Sequence, residues 1–359
     1  MRLLSINLEN FRNIEFAALR LGEQSHLLLG ANGQGKTNLL EAIGLLAAVR
    51  SFRTQDMGAL IRSGQTTARI VYGIKHERFG ITEVEIVLSQ RSKTLILNGE
   101  TITRMADFIG LLPIVVLASD DIQLLRGSPQ LRRRFLDMTL SAIDTEYFTV
   151  LRRYHRTLKE RNSLLRNETI DFNTLSAFEK LLAPDAYALV QKRSNGLALL
   201  SDKLNQYCTA VCGIDEGAEL VYRPNAEFAS TEAALSLLQN QRAKDRLFKS
   251  TQRGPHRDDL QFKLKGTLAR EFASEGQQRG LVIGLKMALI EQIEAVQSIT
   301  PVVLADDVLG EFDSKRRDGF WNALGAQRQI IATGTTLPVA DQTRTWQVKH
   351  VAQGTFSDE

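Results

Sequence analysis

The sequence predicts an α/β fold, and three stretches predict it. An apolar run, Leu27-Leu28-Leu29, passes through the glycine-rich loop Gly30-Ala31-Asn32-Gly33-Gln34-Gly35-Lys36-Thr37 into an apolar-periodic stretch from Leu39 to Val49. This is the strand, loop and helix of a parallel α/β unit. Near the other end, Pro301 to Asp306 and Gln329 to Thr333 read as short buried strands. At 359 residues the chain exceeds the size at which one core stops growing, so two lobes are expected.

The remaining elements follow from period and turn chemistry. Arg2 to Leu8 alternates polar and apolar residues, and Ile14 to Leu21 continues as strand. Ala68 to Ile74, Thr82 to Ser89 and Lys93 to Leu97 are rich in β-branched residues and predict a three-stranded antiparallel patch, with Asn98-Gly99 as a hairpin turn because both residues tolerate positive φ. Leu111 to Ala118 reads as a short apolar strand. From Gln130 to about Gln239 the pattern turns helical, with Phe135, Met138, Leu140 and Ile143 spaced to face a core. Strand character returns at Glu219 to Tyr222 and Asp259 to Lys265, and a helix is expected from about Gly276 to Val296.

Composition narrows the class. With 43% hydrophobic and 24% charged residues the chain is of ordinary globular type, and the tail after Val351 is the one segment expected to be disordered. The start alternates and meets Glu9 before any signal-like apolar block, and no stretch reaches the ~20 apolar residues of a membrane span, so a cytoplasmic protein is expected. Cys208 and Cys212 lack further ligands at zinc spacing and read as reduced thiols. The net charge is +4, yet Arg126 to Arg166 alone holds ten basic residues against four acidic ones. Such a run attracts polyanions by counterion release, which makes nucleic acid the expected partner; a solvated helix face is the alternative.

The loop from Gly30 to Thr37 fits the pattern G-x-x-x-x-G-K-[ST] in its strand-loop-helix setting, and predicts binding of ATP or GTP. Its glycines let backbone N–H groups close around phosphate oxygens, Lys36 adds a mobile charge, and Thr37 is placed to ligate Mg²⁺. The strand ending in Asp306-Asp307 supplies two carboxylates: Asp306 to hold Mg²⁺, Asp307 to orient or deprotonate the attacking water. Just upstream stands Ser274-Glu275-Gly276-Gln277-Gln278-Arg279. Ser274 and Gln277 form a capping box, and Ser274, Gly276 and Gln277 at a helix start are also suited to a γ-phosphate.

The order P-loop, S-x-G-Q and apolar strand with two acids resembles the ABC-type (Rad50/SMC-like) P-loop ATPase head, in which the signature reads nucleotide held by a second copy of the protein. No N-K-x-D motif of a GTPase is present. On this reading residues 1–118 form the N-terminal lobe of the head, 119–240 an inserted, mainly helical second domain, and 241–359 the C-terminal part of the head. Lys36 and Asp306 lie 270 residues apart, too close for a long coiled-coil arm and too far for a compact transporter ATPase.

Within that class the sequence resembles the RecF family of bacterial recombination and repair proteins. The residues that carry this are Leu8 to Asn13, the P-loop, Gly127 and Pro129 leading to Arg132-Arg133-Arg134-Phe135-Leu136-Asp137, Gly254-Pro255-His256-Arg257-Asp258-Asp259-Leu260, the Ser274 signature and Thr333-Gly334-Thr335. The resemblance implies ATP and Mg²⁺ as cofactors, an ATP-dependent homodimer, binding to single-stranded, gapped or duplex DNA, RecO and RecR as partners in loading recombinase, and a place in the SOS response. It also implies that Arg12 and Asn13 touch nucleotide. Three departures from the ABC pattern, Asp307 in place of Glu, Thr333 to Thr335 in place of a switch histidine, and Ala118-Ser119-Asp120-Asp121 without a Mg²⁺-contacting glutamine, predict a weak ATPase used as a switch. A transporter-coupling ATPase and a DNA nuclease with an ABC-type head are the competing readings; the basic run argues against the first, and the lack of a strand-end glutamate followed by D-x-D against the second. His256, with no second histidine at ligand spacing, reads as structural.

Overall fold

The computed structural model describes residues 1–308, 314–336 and 345–358. Strands β1 (Arg2–Phe11), β2 (Ile14–Arg20) and β3 (Ser25–Leu29) precede α1 (Lys36–Gly44), β4 (Thr67–His76), β5 (Gly80–Ser89), β6 (Lys93–Leu97), β7 (Glu100–Thr101) and β8 (Ile114–Ala118). Helices α2 (Gln123–Arg126), α3 (Pro129–Ile143), α4 (Thr145–Leu164) and α5 (Phe172–Cys212) follow, then β9 (Ala218–Arg223), α6 (Thr231–Asn240), α7 (Arg242–Leu247), β10 (Asp259–Leu264), β11 (Thr267–Leu268) and α8 (Ala269–Phe272). The last part holds α9 (Glu275–Gln297), β12 (Val302–Asp306), α10 (Ser314–Leu324), β13 (Ile330–Gly334), β14 (Trp346–Ala352) and β15 (Thr355–Asp358).

The chain divides into two compact units. The first comprises Met1–Asp121, Tyr207–Ile214 and Lys286–Glu359. It holds two six-stranded sheets, one antiparallel in the order β2-β1-β4-β5-β6-β7, the other β15-β14-β3-β13-β12-β8 and parallel except at β15. The three central parallel strands are buried almost end to end, as strands covered on both faces require: β3, β12 and β13 expose almost nothing, while β14 is partly exposed. Leu39, Leu40 and Ile43 of α1 join Ile6, Leu8, Phe11, Ile70, Ile86, Leu304 and Ile331 in one core. The expected three-stranded patch is half of a larger sheet, because β1 pairs with β2 on one side and β4 on the other. Asn98-Gly99 turns β6 into β7 with φ of +49° and +86°. Residues 352–358 of the tail are ordered, contrary to expectation: Gly354, at φ +80°, closes a hairpin in which β15 pairs with β14.

The second unit comprises Ile122–Gln206 and Asp215–Leu285. It contains α3, α4, α6, α7 and the small antiparallel sheet β11-β10-β9. This partition differs from a division at residue 240. Strand β9 pairs with β10 along Ala218 to Arg223, so the segment around 259–268 folds with the helical unit and not with the C-terminal strands. Arg132 forks onto Asp259, Nε to Oδ1 at 2.6 Å, and so ties α3 to the start of β10.

Candidate functional site

In the first unit, β3 delivers the chain at Gly30 and α1 takes it away at Lys36. Gly30 admits no side chain, since a Cβ there would sit 2.3 Å from the carbonyl oxygen of Val351 on β14, the strand paired with β3. Gly33 and Gly35 adopt φ of +80° and +115°, the left-handed region that favours glycine. The loop is braced from outside: Gly354 N donates to Gln34 O at 2.8 Å, Gln353 N to Gln34 Oε1 at 2.8 Å, and Asn13 Nδ2 to Gln34 O at 3.3 Å. Among the described residues, none of the N–H groups from Ala31 to Gly35 donates to a protein acceptor. A loop held by its carbonyls with its donors unspent fits an anion such as a phosphate chain. Lys36 Nζ rests on the carbonyls of Gly30 and Ala31, at 2.5 and 3.0 Å.

The end of β12 completes the site. Parallel pairing with β8 and β13 brings Asp306 beside Ala118 and one residue past the Ala305–Ala332 pair. Thr37 Oγ1 donates to Asp306 Oδ1 at 2.8 Å, and Thr333 Oγ1 donates to the same oxygen at 3.0 Å. Burial raises the pKa of Asp306, with the two hydroxyls and the charge of Arg53 pulling the other way. A half-buried carboxylate sharing an oxygen with the P-loop threonine is a hard oxygen donor set, and fits Mg²⁺. Asp307 is exposed and turned into the left-handed region at φ +56°, its N–H bonded to Thr333 Oγ1 at 2.8 Å. Thr333 therefore fixes both strand-end acids, at the position where the sequence lacks a switch histidine.

Sequence reasoning missed Glu41 and Arg53. Glu41 is fully buried on α1; Arg12 grips it with Nε and Nη2 at 2.9 and 2.8 Å, Ser51 also donates to it, and Arg53 reaches it at 3.2 Å and Asn38 Oδ1 at 2.9 Å. Arg12, at φ +55°, is thus spent on a carboxylate, while Asn13 borders the loop and accepts from Asn38 Nδ2 at 2.8 Å. A Glu set between Leu39-Leu40 and Ala42-Ile43, in the apolar stretch behind the P-loop, was the available signal. Asp121 pairs with Lys286 at 2.9 Å and accepts from Ala118 N, while Gln123 is exposed at the start of α2.

Ser274 belongs to the second unit and the P-loop to the first. Ser274 N donates to Gln277 Oε1 at 2.9 Å and Gln277 N to Ser274 Oγ at 3.3 Å, the reciprocal capping box. Gln277 Nε2 is held by Glu216 at 2.9 Å, and Arg126 Nε by Gln278 Oε1 at 2.7 Å. Ser274 itself is exposed and Gly276 half-buried at the start of α9.

The motif around His256 is a buried scaffold. Arg193 donates to Asp258 at 2.7 Å, Asp137 at 2.8 Å and Pro255 O at 2.7 Å. His256 sits between Tyr154 Oη at 2.7 Å and Thr251 O at 3.0 Å, and burial lowers its pKa to about 4. The basic run is likewise partly internal. Arg132 and Arg161 are buried, Arg161 between Glu179 and Asp245 at 2.9 and 2.7 Å, and Arg153 pairs with Asp185. Arg152, Arg156, Lys159 and Arg166 remain exposed.

Comparison with known proteins agrees with this architecture. The family model for the RecF/RecN/SMC N-terminal domain matches residues 2–357. The DNA replication and repair protein RecF of Geobacter metallireducens is 35% identical over 368 residues, covering 99% of this chain and all of that one. The chain belongs to the RecF family. The RecF of a Picosynechococcus strain is 33% identical over 376 residues, 99% of this chain and 97% of its own. A solved structure described as the recombination mediator protein RecF with ATP in the RecFOR pathway superposes with a TM-score of 0.92 at 28% identity, covering 100% of this chain and 97% of that chain. An SMC head bound to a winged-helix domain of ScpA, at a TM-score of 0.56 and 14% identity over 99% and 96% of the two chains, shares the fold alone. The fold is that of the ABC-type ATPase head. Among the described residues no helix is long and apolar enough to cross a membrane.

Proposed function

We propose that this RecF-family chain is an ATP-dependent DNA-binding protein of recombinational repair and replication restart, working as a switch and not as a fast enzyme. The observation that carries it is the shared oxygen of Asp306, where the P-loop threonine and Thr333 meet beside a loop of unspent N–H donors. Gly30 to Thr37 bind the phosphates of ATP, Lys36 leaving its loop carbonyls for phosphate oxygen. Thr37 and Asp306 hold Mg²⁺, which supplies neutralisation of the phosphate charge. Asp307, exposed and fixed through its own N–H, orients the attacking water. Ser274, Gly276 and Gln277 of a second copy close over the γ-phosphate.

Nucleotide shared in this way stabilises the dimer by its differential affinity for that state, and hydrolysis removes the link. The closed dimer binds single-stranded, gapped or duplex DNA and works with RecO and RecR in loading recombinase, upstream of the SOS response, in the cytoplasm. Family membership supports this over a transporter subunit or a nuclease.

Mixing two defective chains tests the shared site. Lys36→Met and Ser274→Arg are each expected to stay monomeric with ATP in analytical ultracentrifugation, and their mixture to form a heterodimer through one intact composite site. A Ser274→Arg chain that dimerises as the wild type does would reduce the signature to a helix cap.

A further inference from the structure

The end of α7 presents an arrangement that the nucleotide site does not use. Leu247 and Phe248 stand 77% and 56% exposed, side by side. The turn that carries them is fixed: Lys249, at φ +51°, ends the helix with its N–H on Arg246 O at 3.2 Å, and Ser250 N reaches Asp245 O at 3.0 Å, a Schellman closure made without glycine. Beneath it Asp245 is fully buried, bonded to Arg161 and to Gln252 N at 2.8 Å, while Asn162 accepts from Thr251 N and Oγ1 at 2.8 and 2.7 Å. The apolar pair is therefore held out on a rigid base.

The exposed charges that flank it along the chain, from Lys244 to Arg257, are all positive. Lys244, Arg246, Lys249, Arg253 and Arg257 are exposed, and the acids of the same stretch, Asp245 and Asp258, are buried in ion pairs with Arg161 and Arg193. Internal pairing cancels the acids and leaves the cations to solvent. An exposed ring flanked by unopposed cations suits a strand that offers both base faces and phosphates. A duplex keeps its base faces stacked and offers only phosphates and groove edges, and an apolar protein groove would not call for five cations.

We propose that Phe248 and Leu247 form a stacking platform for single-stranded nucleic acid, with Lys244, Arg246, Lys249, Arg253 and Arg257 tracking its backbone. The proposal rests on the DNA-binding reading above and assigns the single-strand contact to this turn.

The test uses the full chain with ATP and Mg²⁺ and a labelled oligo(dT), beside a duplex of equal length. Phe248→Ala is expected to weaken oligo(dT) binding by roughly five- to a hundredfold, the range for losing one stacked base, and to leave duplex binding and the unfolding midpoint unchanged. Arg246→Gln is expected to reduce the slope of log K against log salt by about 0.7 for the single strand. As a direct readout, Phe248→Trp should show fluorescence quenching on adding oligo(dT). Wild-type oligo(dT) affinity in Phe248→Ala with no quenching in Phe248→Trp overturns the platform while the ATP-dependent DNA reading stands. Absence of DNA binding by the wild type overturns both. Loss of a protein partner with DNA binding intact assigns the patch to protein docking and overturns the proposal.

Discussion

Thr37 donates its hydroxyl to Asp306 at 2.8 Å, so the first turn of α1 and the end of β12 meet at one carboxylate oxygen. Residues 269 positions apart in the chain are joined by the parallel order β3-β13-β12, and Thr333 on the intervening strand bonds the same oxygen. Thr37→Val and Asp306→Asn should therefore each weaken Mg²⁺-dependent ATP binding by about ten- to a hundredfold, the cost of one charge-assisted bond, with little change when EDTA is present. Titration calorimetry with and without Mg²⁺ checks this, and equal losses under both conditions would remove the metal role.

Gly30→Ala should destabilise the first unit by about 1–3 kcal/mol, because its Cβ would meet backbone oxygen, which cannot swing aside as a side chain does. Gly22→Ala is the contrast: its φ is +59° with open space around it, so only the left-handed backbone is strained, at about 1 kcal/mol. Urea denaturation of the two variants should rank them in that order.

His256 gives the second unit a pH dependence. Its folded pKa of about 4 lies below the ordinary 6.5, because burial disfavours the charged ring. The unfolded chain then binds the proton first as pH falls. Stability is full above about pH 6.5 and falls towards pH 4, by roughly 3 kcal/mol at most. Chemical denaturation between pH 7 and 4 should show this slope, and His256→Gln should flatten it.

Charges within the basic run and its partners should separate by burial. Arg193→Met leaves Asp258 and Asp137 without their cation and should cost about 3–5 kcal/mol. Arg156→Gln, on the exposed face of α4, should change stability by less than about 0.5 kcal/mol and lower the salt slope of DNA binding by about 1 if that face meets a duplex. Denaturation curves and salt titrations read the two effects independently.

These contrasts show what the sequence could carry. The P-loop, β12 and Asn98-Gly99 were legible because each is local: period, glycine pattern and turn chemistry sit within a few residues. The expectation of a disordered tail failed because the order of β15 depends on a neighbour, β14, that only the folded sheet provides. Charge counting between Arg126 and Arg166 misread Arg132, Arg153 and Arg161, whose partners Asp259, Asp185 and Asp245 lie 127, 32 and 84 residues away. The pairing of β9 with β10 runs across residue 240 and is likewise invisible to a local reading.

In the proposed function, ATP on Gly30 to Thr37 controls DNA binding. Equilibrium binding of labelled gapped duplex DNA, with ATP and Mg²⁺, with ADP, and without nucleotide, tests it on the wild type and on Lys36→Met. Tighter binding with ATP and no such gain in Lys36→Met are expected; binding that is absent, or equal under all three conditions, would overturn the proposed function.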